Sequence, residues 1–160
     1  MDDTTFKPAS APEVGEDAVR MFLSGLGCAE SSLMALAGVQ GIESDLMPRI
    51  ATGLCGGMGR TCGACGALTG AVLAIGLAFG RRKPGDSPDT ARSATRCLVE
   101  AFEAKFGARD CHLLLGCDLG TPEGMAVFEE KGLRDRCADF TRFATEEAVR
   151  IIDKVKKETH

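Results

Sequence analysis

Apolar residues recur along most of this chain at intervals of three and four, the spacing that lines one face of an α-helix. Val14, Ala18, Met21 and Phe22 form the first such stripe, which Gly25 or Gly27 ends. Cys28 to Val39 carries Ala29, Leu33, Leu36 and Ala37 on one face and stops at Gly41. A third helix starts near Ser44 or Asp45 as N-cap, takes Pro48 in its first turn and turns Met47, Ile50, Ala51 and Leu54 inward. Ser87-Pro88-Asp89 opens a helix over 89–106 with Ala94, Cys97, Leu98, Ala101 and Phe102 inward. Asp110 caps a short helix through Leu115, and Thr121-Pro122-Glu123 starts the next. The last helix carries Leu133, Cys137, Phe140, Ala144, Ala148, Ile151 and Val155. No segment alternates with period two. The pattern predicts an all-α fold, a single-domain bundle of about six to seven helices over 13–157, behind a flexible tail over 1–12.

One stretch does not follow this rhythm. From Cys55 to Ala67 the chain has five glycines in thirteen residues with no stripe, so a turn is expected where backbone approaches something closely or takes positive φ. Thr61 to Gly80 is uncharged throughout, long enough in principle to cross a membrane. Its glycines dilute the hydrophobicity and no second span accompanies it. Small residues at 63, 67, 70, 74 and 78 share one face, which predicts a buried, Gly/Ala-rich central helix that lets a neighbour pack closely.

Charge narrows the range of functions. A net charge of −4, a pI near 5.2 and few stacking aromatics exclude the basic footprint of a nucleic-acid surface. Arg81-Arg82-Lys83 reads as a solvated loop, and no P-loop, dinucleotide fingerprint, nucleophile elbow or HExxH occurs. The first residues lack a basic and an apolar export region, so a cytoplasmic, reducing setting is expected, where stable disulfides are uncommon.

Eight cysteines therefore draw attention as ligands or redox thiols; they are fewer than the ~8–10% of residues that marks a disulfide scaffold. Cys97 and Cys137 lie on apolar helix faces, where spacing alone makes them core filler. Cys28, Cys65 and Cys111 fall at predicted first turns, where free N–H groups and the helix dipole favour thiolate. Cys62 and Cys65 form a C-x-x-C, suited to a chelating pair or a redox dithiol. At a helix start it resembles alkylhydroperoxidase D-type folds, although Leu68 and Thr69 stand where those carry a His.

Cys65-Gly66-Ala67-Leu68-Thr69-Gly70 matches the CGAxxG motif of the C_GCAxxG_C_C redox-active proteins, which have four characteristic cysteines. Gly56-Gly57-Met58 resembles the family's glycine-rich approach and Gly27-Cys28-Ala29 its first cysteine segment. Phe106 to Cys111 with Leu114-Leu115-Gly116 is similar to the third segment, and Cys137 to the fourth. The resemblance spans roughly residues 16 to 150. It implies a small helical protein with a redox role, similar also to the helical part of split-Soret cytochromes, for which an iron–sulfur cluster has been suggested. Without C-x-x-C-H, covalent haem is not expected.

Three readings follow. In the first, Cys28, Cys65, Cys111 and Cys137 converge and hold an iron–sulfur cluster or a single ion, iron or zinc, with Gly66 and Gly70 giving backbone access to it. Electron transfer to a partner redox protein would be the activity. In the second, Cys65 attacks a disulfide and Cys62 or Cys28 resolves, without metal. In the third, the chain is a helical binding module with idle thiols. Cys55, Cys62, Cys97 and Cys117 are alternative ligands under the first reading, and His112 reads as a surface imidazole. Neither a homo-oligomer nor a monomer is specified.

Overall fold

The computed structural model describes residues 9–160, so positions 1–8 of the expected tail lie outside the described residues. The first helix, α1 (Ala11–Leu23), starts two residues before the bundle was expected to begin. Its start is a capping box: the Glu13 N–H donates to Ser10 Oγ, and the Ser10 N–H donates to Glu13 Oε2 at 2.7 Å. Then follow α2 (Cys28–Val39), α3 (Leu46–Ala51), α4 (Gly66–Phe79), α5 (Asp89–Phe106), α6 (Cys111–Leu115), α7 (Pro122–Glu130) and α8 (Arg134–Glu158). Among the described residues there is no strand, only one isolated bridge between Ala64 and Asp110. The fold is all-α, as the periodicity predicts.

The core forms where α1, α2, α4, α5 and α8 meet. Helix α4 lies at its centre, with Ala67, Leu68, Gly70, Ala71, Ala74 and Ile75 all buried. Its small residues set the spacing to α2: a Cβ on Gly70 would stand 2.9 Å from Ala29 Cα. No side chain fits that gap, so α2 and α4 touch backbone to backbone and Cys28 is carried to the N-terminal end of α4. No helix among the described residues is long and apolar enough to cross a membrane.

A second packing centre lies where α5 meets α8. Phe102, Phe106, Phe140 and Phe143 meet edge to face or tilted, with the Phe106 and Phe140 ring centroids 4.8 Å apart. Phe140 also faces the thiol-lined space described in the next subsection, so this cluster holds one wall of it.

Two inward expectations fail. Ile50 is 54% exposed because α3 has only six residues and no element covers its outer side. Cys97 is exposed as well: it borders an open groove with Glu147, Arg150 and Ile151, and the core face of α5 belongs to Ala94, Leu98 and Phe102.

Gly70→Ala is expected to destabilise the fold by about 1–3 kcal/mol through overpacking against Ala29. Gly76→Ala, on the same helix with open space around its Cβ position, should instead gain roughly 0.5–1 kcal/mol from helix propensity. Urea unfolding followed by far-UV circular dichroism reads both, and equal effects at the two positions would refute the close α2–α4 contact.

Candidate functional site

The glycine-rich stretch folds as a left-handed bend. Gly56, Gly57, Met58, Gly59 and Arg60 have φ of 71°, 74°, 60°, 66° and 64°, and Cys62 follows at 63°. Glycine enters this region freely; Met58, Arg60 and Cys62 do so only at a steric cost of about 1–2 kcal/mol each. Within the bend, the Gly63 and Thr61 N–H groups both donate to Gly57 O, and Thr61 Oγ1 donates to Met58 O.

Beyond the bend the chain is clamped to the loop before α6. The Cys65 N–H donates to Arg109 O and the Cys111 N–H donates to Gly63 O, both at 2.8 Å. These paired bonds set Cys65 and Cys111 side by side. Gly57 must lack a side chain here, since a Cβ would stand 2.5 Å from Cys111 Cβ and 2.9 Å from Gly63 O.

Cys28, Cys65, Cys111 and Cys137 line one small cavity of about 30 Å³ together with Gly56, Gly66, Leu114, Leu115, Leu119 and Phe140. Four helices bring them there. Cys28 is the first residue of α2, Cys65 the N-cap of α4 and Cys111 the first residue of α6; Cys137 arrives from one turn inside α8. Gly66 belongs to the lining because a Cβ there would strike Cys28 Sγ. Gly70 does not: it serves the α2–α4 contact.

Two influences compete over these thiols. N–H groups at helix starts favour thiolate: Leu68 and Ala67 turn theirs toward Cys65. Burial opposes it and wins. The Cys65 thiol is pushed up to about 11 mainly by burial. Cys111 and Cys137 are each raised to about 12, by burial first and then by neighbouring cysteine charge, Cys65 among them in both cases. Without a cation, all three are protonated at neutral pH.

Cys55, expected only as an alternative ligand, behaves oppositely. The Cys28 thiol donates to its sulfur, which brings Cys55 down to about 6 and raises Cys28 well above its ordinary value. Burial opposes the lowering at Cys55, while the Glu30 and Ala29 N–H groups at the start of α2 add to it. Gly27 makes the approach possible, because a Cβ there would overlap Cys55 Sγ. Glu30 borders the pair, accepting from the Gly27 N–H at 2.6 Å and from Thr52 Oγ1 at 2.7 Å.

The remaining candidates lie apart. Cys62 is not in the cavity lining; its thiol is raised by burial first and then by the neighbouring Asp118 carboxylate. The C-x-x-C thus sends its two sulfurs to different surroundings. Cys117 is half-buried nearby. His112 is half-buried too, with a buried Nδ1 that finds no partner among the described residues, where a surface imidazole was expected. Among the described residues no three His, Cys, Asp or Glu side chains are drawn together as a metal site.

In metal-free protein, a thiol brought down to about 6 is already ionised above that pH and loses reactivity as pH falls through it. Alkylation of Cys55 by iodoacetamide should therefore be half-maximal near pH 6 and level above neutrality, while Cys65, Cys111 and Cys137 stay slow up to about pH 11. Mass-spectrometric mapping of alkylated peptides across pH tests this. A Cys55 profile that climbs through pH 9, as for an exposed thiol, would contradict it.

No curated protein and no solved structure matches the chain. A family model does, over residues 26–151, and its description is "Putative redox-active protein (C_GCAxxG_C_C)". That span takes in all four cavity cysteines and the bend between the first two, and the chain belongs to the C_GCAxxG_C_C family.

Proposed function

We propose that the chain is an electron carrier in which Cys28, Cys65, Cys111 and Cys137 hold a redox-active metal centre as thiolates. The observation that carries this reading is the meeting of four sulfurs from four helices at one cavity, three of them at helix N-terminal positions.

The donor set suits the group. Four sulfurs with no competing oxygen ligand in the lining select soft or borderline transition metals, iron and zinc foremost. Space favours a single ion over a cluster: about 30 Å³ is only two to three times the ~10–15 Å³ that one water requires. The sulfurs are gathered round the space without being drawn to a common point, so closure of the site belongs to the loading step. Thiols held protonated first by burial and then by one another's charge would yield their protons to a cation, which makes uptake release acid and favours it at higher pH.

An iron centre in this site would supply a one-electron couple. The chain's own residues supply its setting. Leu114, Leu115, Leu119 and Phe140 keep water from the sulfurs, and the N–H groups of Leu68 and Ala67 aimed at Cys65 stabilise charge on that thiolate. Of the four lining cysteines, Cys28 and Cys137 are half-buried, and Cys65 and Cys111 are buried. A structural zinc with the same ligands is the closest competitor, and redox titration separates it from iron.

Anaerobically purified protein should retain about one equivalent of iron per chain and absorb in the visible and near-ultraviolet, the latter against little background near 280 nm because the chain has no Trp or Tyr. Cys→Ser at 65 or 111 should abolish retention, whereas Cys97→Ser should leave it unchanged. Metal analysis, absorption spectra and circular dichroism of each variant provide the readout. Folded protein that is colourless and takes up no iron, zinc or sulfide would refute the metal reading.

A further inference from the structure

We infer that Cys55 and Cys28 form a thiol–disulfide exchange pair, separate in its chemistry from the four-sulfur site, whose substrates are small disulfides. The inference needs no metal. It concerns the metal-free chain, and it shares only Cys28 with the proposed metal ligands.

The pair rests on geometry. The two sulfurs are in hydrogen-bond contact. The backbones bring them together through two glycines: Gly27, where a Cβ would stand 2.9 Å from Cys55 Cβ, and Gly66, where a Cβ would stand 3.2 Å from Cys55 Cα and would strike Cys28 Sγ. Both glycines thus clear space for the same two residues. Their roles differ by position. Both keep partial exposure, but Cys28 turns into the cavity, whereas Cys55 is absent from its lining and lies beside Glu30 and Thr52. Cys65, buried in the cavity wall, has no comparable access.

The chemistry balances in two steps. The Cys55 thiolate attacks one sulfur of the substrate disulfide; a Cys55–substrate disulfide forms and the other half leaves as thiolate. The Cys28 sulfur then attacks Cys55 Sγ and gives up its proton, the second half leaves as a thiol, and a Cys28–Cys55 disulfide remains. Two electrons pass from the protein thiols to the substrate, which is reduced to two thiols.

Trypsin places these cysteines on separate peptides, residues 21–49 with Cys28 and residues 50–60 with Cys55, while residues 61–81 hold Cys62 and Cys65. The whole chain, freed of metal by chelator and kept anaerobic, is treated with oxidised glutathione, quenched in acid and mapped by mass spectrometry. Expected is a link between 21–49 and 50–60, with free thiols falling from the eight of the reduced chain by two. Cys28→Ser should hold one glutathione on Cys55, and Cys55→Ser should take up none at Cys28. An internal disulfide in 61–81 with Cys28 and Cys55 still free would overturn the inference. Glutathione persisting on Cys55 of the unaltered chain beside a free Cys28 would do so as well. The unaltered chain decides these outcomes without any variant, and its metal content is measured separately, so failure of the metal reading leaves this result standing.

Discussion

The arrangement of sulfurs depends on two backbone hydrogen bonds, Cys65 N–H to Arg109 O and Cys111 N–H to Gly63 O. Each contributes only about 0.5–1.5 kcal/mol in net terms. Their value is positional: residues 46 apart in sequence are fixed in antiparallel contact, with neither side chain spent on holding the other. Because the clamp uses main-chain atoms, both thiols remain free to line the cavity. The glycines around it follow from the same constraint. Gly57 lies so near Cys111 that a methyl group would force the clamp apart.

Burial and helix ends act on the same atoms with opposite sign, and their balance differs across a few ångströms. At Cys65, burial outweighs two well-aimed N–H groups. At Cys55, partial exposure weakens the burial penalty, and a neighbouring thiol that donates its proton tips the outcome toward thiolate. The start of α2 therefore serves two sulfurs in two ways: Cys28 as its first residue facing inward, Cys55 as a guest over its N–H groups. A site that is nominally uniform in residue type is chemically divided into thiols held in reserve and one sulfur ready to react.

Much of the architecture was legible in the residues. The α2 and α5 boundaries agree with the periodicity, and Cys28, Cys65, Cys111 and Cys137 do share one space. The α5 and α7 starts were readable because Ser87-Pro88-Asp89 and Thr121-Pro122-Glu123 mark them locally. What sequence could not supply is whether a face has a neighbour. Ile50 and Cys97 lie on regular apolar stripes and still meet solvent, because the elements that would cover them pack elsewhere. Cys55 was obscure for a related reason: its partner is 27 positions away, and the only local trace was a glycine before Cys28 whose necessity appears once a foreign sulfur occupies the missing Cβ. The C-x-x-C spacing was legible, but not that Cys65 lines the cavity while Cys62, at positive φ, lies outside its lining.

The left-handed bend has an energetic consequence for the cavity wall. Its three chiral members together hold on the order of 3–6 kcal/mol of steric cost, which the surrounding helices must offset. The bend that brings Gly56 to the cavity wall therefore keeps its conformation only with the help of the helices around it.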